Sequence, residues 1–488
     1  MKKTHRLAIE AIQKYDPGAV ENIAYLNSLY LMSVGVVPFP RKIPGLFLDT
    51  YEIYSAFAPD DIHIMREHMQ VHTLAEHKPK EASKVKSTNY LVGNFFFQRF
   101  LATRRLKPTL LFSNASVALI DRVKQMGTPY IATVAEVNER FKTKKAFREA
   151  LKDLKLPHIP HRFIPKCTIC EMDYRSYSFN YYEQSVIQRS EIEVGGNEGT
   201  FFIKTEADFE YFKSRVQNED DETEYMISPF IVGDSVSMAG CVTQQGILTG
   251  PLQLQLIDVP ESLHGAKANG IFYGNDWGYK TWNDDIQKQA ENVTEVIGAE
   301  LQKEGFMGIF GIDFMYDSAA DKLYPLECNP RITGSMPALS LMQLAQNIPP
   351  FEYYHLLSLT KKDTTFNFES ANKSLKQTFP CAHISFSPIG IDTMRLPLVA
   401  GVYEYNAETQ ELNYVRRGFH YTDLQSDNEF IIIDALPKMG EKVQQHVPGF
   451  FKFLFKHQIA TGSAEITKRT QDILEIFTHN LKNPPPTV

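Results

Sequence analysis

Residues 308–331 form two apolar runs on either side of the short polar turn 318–321. This pattern predicts a β-hairpin, in which successive side chains alternate between two faces. If the turn is centred near Ala320, Asp313 lies directly opposite Glu327. Directly opposed side chains have Cβ atoms about 5 Å apart, so the hairpin is expected to bring two carboxylates together on one face.

The predicted strand also places an amide near these carboxylates. Glu327 is expected to share its face with Leu323 and Asn329. Two opposed carboxylates destabilise a hairpin unless one carries a raised pKa or a cation lies between them. Oxygen ligands from Asp313, Glu327 and Asn329 suit Mg²⁺, which binds a few carboxylates together with phosphate oxygens. The segment therefore predicts a magnesium site.

A basic residue follows the hairpin directly. Pro330 ends the second strand because it has no backbone N–H to donate, and Arg331 is then expected beside the same site. A planar guanidinium next to a metal and phosphate suits a carboxylate or an acyl phosphate. The alternative interpretation is an exposed hairpin face whose polar residues only meet water.

The motif Glu327-Cys-Asn-Pro-Arg331, preceded by Gly311-Ile-Asp313, resembles the metal-binding signature of the ATP-grasp superfamily, over roughly residues 105–340. The resemblance implies that ATP is held between two α+β lobes and that Mg²⁺, or Mn²⁺, bridges its phosphates to Asp313, Glu327 and Asn329. It also implies a biosynthetic ligase that phosphorylates a small-molecule carboxylate and passes the acyl phosphate to an amine, either an amino acid or a peptide. An amide or peptide bond forms, and ADP and phosphate are released. Arg331 would be the catalytic residue that steadies the activated carboxylate.

The same resemblance implies a set of ATP-binding residues on a helix start, a glycine-rich hairpin and the segment between the lobes. They are Lys145, Gln188, Gly195, Gly196, Gly199, Thr200, Pro229 and Ile231. The phosphate-binding lysine could be either Lys145 or the adjacent Lys144. The carbonyl of Pro229 would accept from the adenine amine, and the amide of Ile231 would donate to the ring. Two positions depart from the commoner pattern, since Gln188 replaces a lysine and Ser235 replaces a ribose-binding glutamate.

The predicted fold class is a multidomain protein of α/β and α+β type, with an ATP-grasp clasp between two further domains. An N-terminal doubly wound α/β domain spans 1–135, and the two lobes of the clasp span 136–228 and 229–375. Residues 376–488 show short strands and a terminal helix, which predict a separate α+β domain. Within the first lobe, Pro160 and Pro165 predict a linker.

Composition and charge limit the partners. A chain of 488 residues with a net charge of −7 has no general electrostatic attraction to nucleic acid or anionic lipid. Five cysteines and an N-terminus without an apolar signal segment predict a cytoplasmic location with free thiols. The apolar stretch 24–37 is too short to cross a membrane. The oligomeric state stays open, with a homodimer as one option.

Alternatives remain for the chemistry. The same site could pass the acyl phosphate to another acceptor, such as a thiol or bicarbonate, or the protein could bind ATP without catalysis as a regulator. Residues 269–277 either line the acceptor pocket or form a surface turn. The backbone N–H groups of 333–335 are candidates to bind a phosphate or carboxylate.

Overall fold

The computed structural model describes three isolated strands near the N-terminus and most of the chain from residue 88 onward. The described residues are 23–27, 51–55, 70–73, 88–103, 109–112, 114–141, 143–174, 184–190, 199–260, 270–360, 366–386, 390–391, 393–395, 398–433, 436, 439–440 and 451–483.

The N-terminal part contains a parallel sheet in the order β3-β2-β1-β4-β5. Its elements are β1 (Ile23–Asn27), β2 (Tyr51–Ser55), β3 (Gln70–Thr73), α1 (Thr88–Gly93), α2 (Phe95–Ala102), β4 (Thr109–Phe112), α3 (Val117–Gln125), β5 (Tyr130–Ile131) and α4 (Ala135–Phe141). Leu110, Leu119 and Val123 pack together in its core. Parallel strands need crossover connections, and this arrangement confirms the predicted α/β class.

The first lobe of the clasp contains a four-stranded antiparallel sheet in the order β6-β9-β7-β8. Its elements are α5 (Lys144–Asp153), β6 (Arg162–Pro165), α6 (Lys166–Glu171), β7 (Ser185–Arg189), β8 (Thr200–Ile203), α7 (Glu206–Val216) and β9 (Glu224–Pro229). The linker predicted at Pro160 and Pro165 is wrong, because β6 and α6 occupy it. β6 is an edge strand, where a proline is tolerated.

The second lobe and the C-terminal part share one eleven-stranded antiparallel sheet, in the order β15-β14-β10-β12-β13-β16-β20-β19-β17-β18, with β11 paired to β10. The strands before residue 376 are β10 (Asp234–Thr243), β11 (Gly246–Thr249), β12 (Gln253–Ile257), β13 (Phe272–Asp276), β14 (Gly308–Asp317) and β15 (Lys322–Asn329). The strands after it are β16 (Ala382–Phe386), β17 (Gly401–Asn406), β18 (Glu411–Arg416), β19 (Glu429–Ile433) and β20 (Phe451–Phe455), with a small hairpin of β21 (Ala460–Gly462) and β22 (Glu465–Ile466).

Helices cover both faces of this long sheet. They are α8 (Asp284–Lys303), α9 (Met336–Ala345), α10 (Phe351–Thr360), α11 (Phe368–Leu375) and α12 (Lys468–Lys482). One apolar cluster joins α5, α8 and α12 to one face, and a second joins α9, α10 and α11 to the other. Both clusters contain residues from before and after position 376. The described residues of the predicted C-terminal domain therefore share a sheet and two apolar clusters with the second lobe.

Two further predictions concern the chain as a whole. All five cysteines are free thiols, as predicted. Among the described helices, none combines the length and the apolar character that a membrane crossing requires.

Candidate active site

The predicted hairpin is present as β14 and β15, which pair antiparallel. Asp313 lies opposite Glu327, as predicted, and Asn329 lies opposite Gly311. The amide of Asn329 joins the two carboxylates, because its Nδ2 donates to Asp313 Oδ2 at 3.0 Å and to Glu327 Oε1 at 3.2 Å. The hairpin thus brings the three predicted metal ligands into mutual contact.

A β-bulge sets the register of these side chains. The pairing shifts between Asp313 and Phe314, which makes Leu326 the extra residue on the second strand. Strict alternation therefore fails along β15. Leu323 packs in the apolar cluster on the opposite face of the sheet, so the prediction that it shares the face of Glu327 is wrong.

The two carboxyl groups have opposite pKa shifts. The ammonium of Lys144 donates to Glu327 Oε2, and this contact is the main cause of the pKa of Glu327 lying far below its usual value. Burial, followed by the charge of Glu327, raises the pKa of Asp313 well above its usual value. The pair is therefore arranged to hold one negative charge, which Lys144 balances.

Two adjacent lysines at the start of α5 contact different lobes. Thr143 caps this helix by accepting a backbone hydrogen bond from its first turn. Lys144 contacts Glu327 in the second lobe, whereas Lys145 Nζ lies 3.0 Å from Glu224 Oε1 in the first lobe. Of the two candidate phosphate-binding lysines, Lys144 is the one that contacts the hairpin of β14 and β15.

Arg148 supports the hairpin from the same helix and was not predicted from the sequence. Its side chain is buried, and its Nη1 donates to the carbonyl of Pro325 at 2.6 Å, next to the bulge. Burial lowers the pKa of Arg148 to about 10, although the charge of Glu327 acts in the opposite direction. The i, i+4 spacing from Lys144 places both basic residues on one side of α5, and this spacing is the signal that could have identified Arg148.

Arg331 lies at the predicted place, directly after the second strand. Its Nη2 donates to Asn329 Oδ1 at 3.1 Å and its Nη1 donates to the carbonyl of Ile332 at 3.3 Å. The following turn leads into α9, and in it the hydroxyls of Thr333 and Ser335 lie 3.0 Å apart. The guanidinium is thus connected to the hairpin through Asn329.

A row of polar side chains continues the hairpin face across the sheet. Strand pairing places Ser237 opposite both Asp313 and Gln253. Gln253 Nε2 donates to Ser237 Oγ at 3.0 Å, and Gln255 Nε2 donates to Asp313 Oδ1 at 2.9 Å. Neither glutamine is predicted from the sequence. The signal is the alternation Leu-Gln-Leu-Gln-Leu at 252–256, in which an apolar strand carries polar residues on one face only.

The segment 269–277 is in part a buried strand, β13, so the surface-turn alternative is wrong for its described core. Asn275 lies opposite His383, and the Nε2 of this histidine is 3.1 Å from Asn275 Oδ1. Both side chains are buried, and the ring of Trp277 lies 6.1 Å from that of His383. An acceptor pocket at this segment stays a prediction.

The predicted phosphate-binding hairpin is described only at its base. Gln188 and Thr200 are a cross-strand pair, and Gln188 Nε2 donates to Thr200 Oγ1 at 3.2 Å. The carbonyl of Gly199 accepts a backbone N–H at 3.0 Å. Gly195 and Gly196 lie outside the described residues.

The segment predicted to bind adenine connects the two sheets of the clasp. Pro229 ends β9 opposite Ser185, and β10 of the second lobe begins at Asp234. Ile231 is half-buried between them. Gly233 is required here, because a Cβ at this position would lie 2.0 Å from the carbonyl oxygen of Tyr316. The adenine contacts themselves stay predictions.

The donor set at the hairpin fits a divalent cation that prefers oxygen ligands. Two carboxylates and one amide match the chemistry of Mg²⁺ and Mn²⁺. Within the described ranges, no group of three His, Cys, Asp or Glu side chains could hold a metal, and the candidate oxygen donors at the hairpin are two carboxylates and the amide of Asn329. Because the Nδ2 of Asn329 faces the carboxylates, its amide must turn over before its oxygen can bind a cation.

The geometry agrees with a match at the level of protein families. Residues 137–335 match the ATP-grasp domain family. This part of the chain is an ATP-grasp domain. It contains the hairpin, Lys144, Arg148 and Arg331, which confirms the superfamily that the motif resembles. No curated protein matches the sequence.

Solved structures with the same fold cover nearly the whole chain. N5-carboxyaminoimidazole synthase from Aspergillus clavatus, in complex with ADP and 5-aminoimidazole ribonucleotide, aligns with a TM-score of 0.52 at 11% identity, over 94% of this chain and 98% of its own. Phosphoribosylamine–glycine ligase from Thermotoga maritima gives a TM-score of 0.51 at 12% identity, over 95% and 96%.

A third structure is the biotin carboxylase domain of 2-oxoglutarate carboxylase from Hydrogenobacter thermophilus, a dimer in complex with MgADP, ADP and bicarbonate. It aligns with a TM-score of 0.52 at 11% identity, over 90% of this chain and 86% of its own. At such low identity these similarities establish the fold, and they do not establish the substrates.

Proposed function

We propose that this protein is an ATP-dependent carboxylate–amine ligase that works through an acyl phosphate. The observation that carries the proposal is the convergence of Lys144, Glu327 and Asp313 on the hairpin of an ATP-grasp domain, with Arg331 linked to them through Asn329. A protein that only binds nucleotide has no need of a guanidinium beside its metal ligands. ATP and Mg²⁺ are the cofactors that this site suits, and two of the structural relatives described above were solved with ADP or MgADP.

The acidic and basic residues of the site have different proposed roles. When bound, Mg²⁺ would neutralise the phosphates and polarise the γ-phosphoryl group. Asp313, Glu327 and Asn329 would hold it, and Lys144 would then be released from Glu327 to contact phosphate oxygens. Of the two adjacent lysines of α5, Lys144 is the one proposed here to contact phosphate, because Lys145 pairs with Glu224 in the first lobe.

The reaction needs two displacements. A carboxylate oxygen of the substrate attacks the γ-phosphorus, and the bond to ADP breaks with its electron pair leaving on ADP. The amine nitrogen then attacks the carbonyl carbon of the acyl phosphate, phosphate leaves with the C–O electrons, and the nitrogen loses a proton. Arg331 supplies fixed positive charge beside the carboxylate in both steps, and fixed charge of this kind lowers the barrier without reorganisation.

A second candidate keeps the site and changes the carboxylate to bicarbonate, which would give a carboxyphosphate. It is supported by the similarity of the whole chain to two carboxylating proteins, one of which was solved with bicarbonate. The amine acceptor is then carboxylated. Both candidates release ADP and phosphate, so the substrate panel has to separate them.

The test is to incubate the purified protein with Mg²⁺ and ATP, with and without bicarbonate, and with a panel of amino acids and dipeptides. Nucleotides are separated by chromatography and condensed products are identified by mass. The ligase predicts ADP together with a product whose mass is the sum of two substrates less water. Formation of AMP and pyrophosphate would exclude the acyl phosphate, and bicarbonate-dependent ADP release would select the second candidate.

Variants of the hairpin connect the activity to the site. Asp313→Asn and Glu327→Gln keep the shape of the hairpin and remove the charges that hold the cation. We expect each to lower the rate of ADP formation at least about 100-fold, because each removes a charged ligand from a metal-dependent phosphoryl transfer. If both variants turn over ATP at the wild-type rate, the hairpin is not the active site.

A further inference from the structure

A chain of hydrogen bonds connects the C-terminal part to the hairpin. It runs through Ser463, Ser235, Gln255 and Asp313, and we name these four residues the Ser463–Asp313 relay. The backbone N–H of Ser235 donates to Ser463 Oγ at 2.7 Å, and the Ser235 hydroxyl donates to Gln255 Oε1 at 2.7 Å. Gln255 Nε2 then donates to Asp313 Oδ1 at 2.9 Å. Each link is a short, direct contact between side chains or between a side chain and the backbone.

The small hairpin of β21 and β22 holds Ser463 in a fixed place. The backbone N–H of Ser463 donates to Asp234 Oδ1 at 3.1 Å, and the carbonyl of Ser463 accepts from the N–H of Ile257 at 2.7 Å. The turn is thus attached to both β10 and β12, the two strands that carry the next members of the relay. Tyr279 adds a further contact, because its hydroxyl donates to Asp234 Oδ2 at 2.9 Å.

The two ends of the Gln255 amide bind two different neighbours. Its oxygen accepts from the Ser235 hydroxyl, and its NH₂ group faces Asp313 Oδ1. Gln255 is buried, with 9% of its surface exposed, which limits its freedom to rotate. Asp313 Oδ1 is therefore held by Gln255, while Oδ2 is held by Asn329.

We propose that the C-terminal turn at Ser463 positions Asp313 for cation binding through this relay. The inference rests on the proposed function and gives a role to the C-terminal part, for which the sequence offered none. Ser463, Ser235 and Gln255 are positioning residues, since none is placed to touch the reacting atoms. Partners behind metal ligands commonly change metal affinity about 10- to 100-fold when they are removed.

The test measures Mn²⁺ binding by the EPR signal of the free ion, with the full-length protein and a non-hydrolysable ATP analogue. Gln255→Leu is expected to weaken Mn²⁺ binding about tenfold, and Ser463→Ala or Ser235→Ala about threefold. A relay further predicts that Ser463→Ala has no additional effect in the Gln255→Leu background. Affinity for the ATP analogue in EDTA should stay unchanged, because the relay acts on the cation ligand.

The matched control is Thr461→Ala in the same turn, whose hydroxyl contacts only the exposed Glu465 at 3.3 Å among its described partners. It should bind Mn²⁺ like the wild type. Ser235→Ala gives the same test without altering the turn, should Ser463→Ala fold poorly. Additive effects of Ser463→Ala and Gln255→Leu, or an equal effect of Thr461→Ala, would overturn the relay alone. Absence of Mn²⁺ binding by the wild type would overturn both the relay and the proposed function.

Discussion

Lys144 and a divalent cation compete for the same carboxylate in the proposed mechanism. In the structure the ammonium neutralises Glu327, and the charge of the hairpin is balanced without a metal. In the proposed function Glu327, Asp313 and Asn329 would hold the cation, and Lys144 would then be available for the phosphates. A hydrogen bond between charged groups contributes about 1.5–3 kcal/mol, which corresponds to a factor of roughly 10 to 100.

The first prediction follows from the placement of the two lysines. Lys144→Met is expected to lower kcat/KM for ATP by about 10- to 100-fold. Lys145→Met is the matched control, because it removes the neighbouring charge that pairs with Glu224, and its effect should stay below about threefold. Steady-state rates of ADP formation measure both. A larger loss with Lys145→Met would assign the phosphate lysine to the position that the resemblance first favoured.

A buried acid on α10 gives a pH-dependent prediction. Both carboxyl oxygens of Glu352 lie 2.7 Å from the hydroxyl of Ser340, and burial raises the pKa of Glu352 from 4.5 to about 7. Because the folded pKa is above the unfolded one, the stabilising contribution is complete below about pH 4.5 and is lost as the pH rises through 7.

Glu352→Gln keeps a neutral side chain of the same size and is expected to remove this dependence. Between about pH 5 and pH 8, the wild type should lose up to about 3 kcal/mol of unfolding free energy relative to the variant. Urea denaturation of both proteins at each pH measures the difference. Parallel curves for the two proteins would show that Glu352 has an ordinary pKa.

At the scale of elements, α5 supports β15 at its bulge. Arg148 donates to the carbonyl of Pro325, while the exposed Lys152 lies one turn later on the same helix. Arg148→Met keeps most of the buried volume and leaves this carbonyl unpaired. We expect the free energy of unfolding to fall by about 1–3 kcal/mol, against less than about 0.5 kcal/mol for Lys152→Met. Equal effects in urea denaturation would show that the contact does not stabilise the bulge.

The alternation of polar and apolar residues predicted the elements well, but it did not predict departures from regularity. The hairpin of β14 and β15 lies where the sequence places it, and the region after residue 376 contains the predicted short strands and terminal helix. A strictly alternating pattern assumes that no residue is inserted in either strand. It therefore cannot predict the bulge at Leu326, nor the face on which Leu323 lies. Pro165 does not distinguish an edge strand from a linker, because both tolerate proline.

At the site, residues that are close in sequence were predictable, whereas residues that are far apart in sequence were not. The ligands Asp313, Glu327 and Asn329 are close in sequence and share one hairpin, so their spacing brought them together. Gln255 reaches the hairpin through strand order in a sheet that spans more than two hundred residues, and Ser463 lies in a separate small hairpin that contacts this sheet at Asp234 and Ser235. Pairing order across such distances is not encoded in any local pattern, and these two residues were therefore not identified from the sequence.

At the scale of the whole molecule, one buried carboxylate joins the C-terminal part to the second lobe. Asp276 accepts four backbone N–H groups, from Gly278, Tyr279, Ile459 and Ala460, at 2.7–3.0 Å. Its side chain is completely buried, and this burial raises its pKa in spite of the four donors. The contact links residues on the two sides of position 376.

Removing that carboxylate leaves four backbone donors without their partner. Asp276→Ala is expected to lower the free energy of unfolding by at least about 3 kcal/mol. It should also speed hydrogen exchange at the amides of Ile459 and Ala460 more than at amides elsewhere. Asp285→Ala, which alters an exposed side chain near the start of α8, is the control and should leave that exchange unchanged. Slow exchange at both amides in Asp276→Ala would contradict the assignment.

The central claim is that this chain transfers the γ-phosphoryl group of ATP to a carboxylate. The most direct measurement supplies carboxylate substrates labelled with ¹⁸O, including bicarbonate and the amino acid panel, and determines the isotope content of the released phosphate by mass spectrometry. An acyl phosphate predicts phosphate that carries one ¹⁸O from the substrate, because the attacking oxygen stays on phosphorus. Unlabelled phosphate in the presence of condensed product, or label in AMP, would contradict the account.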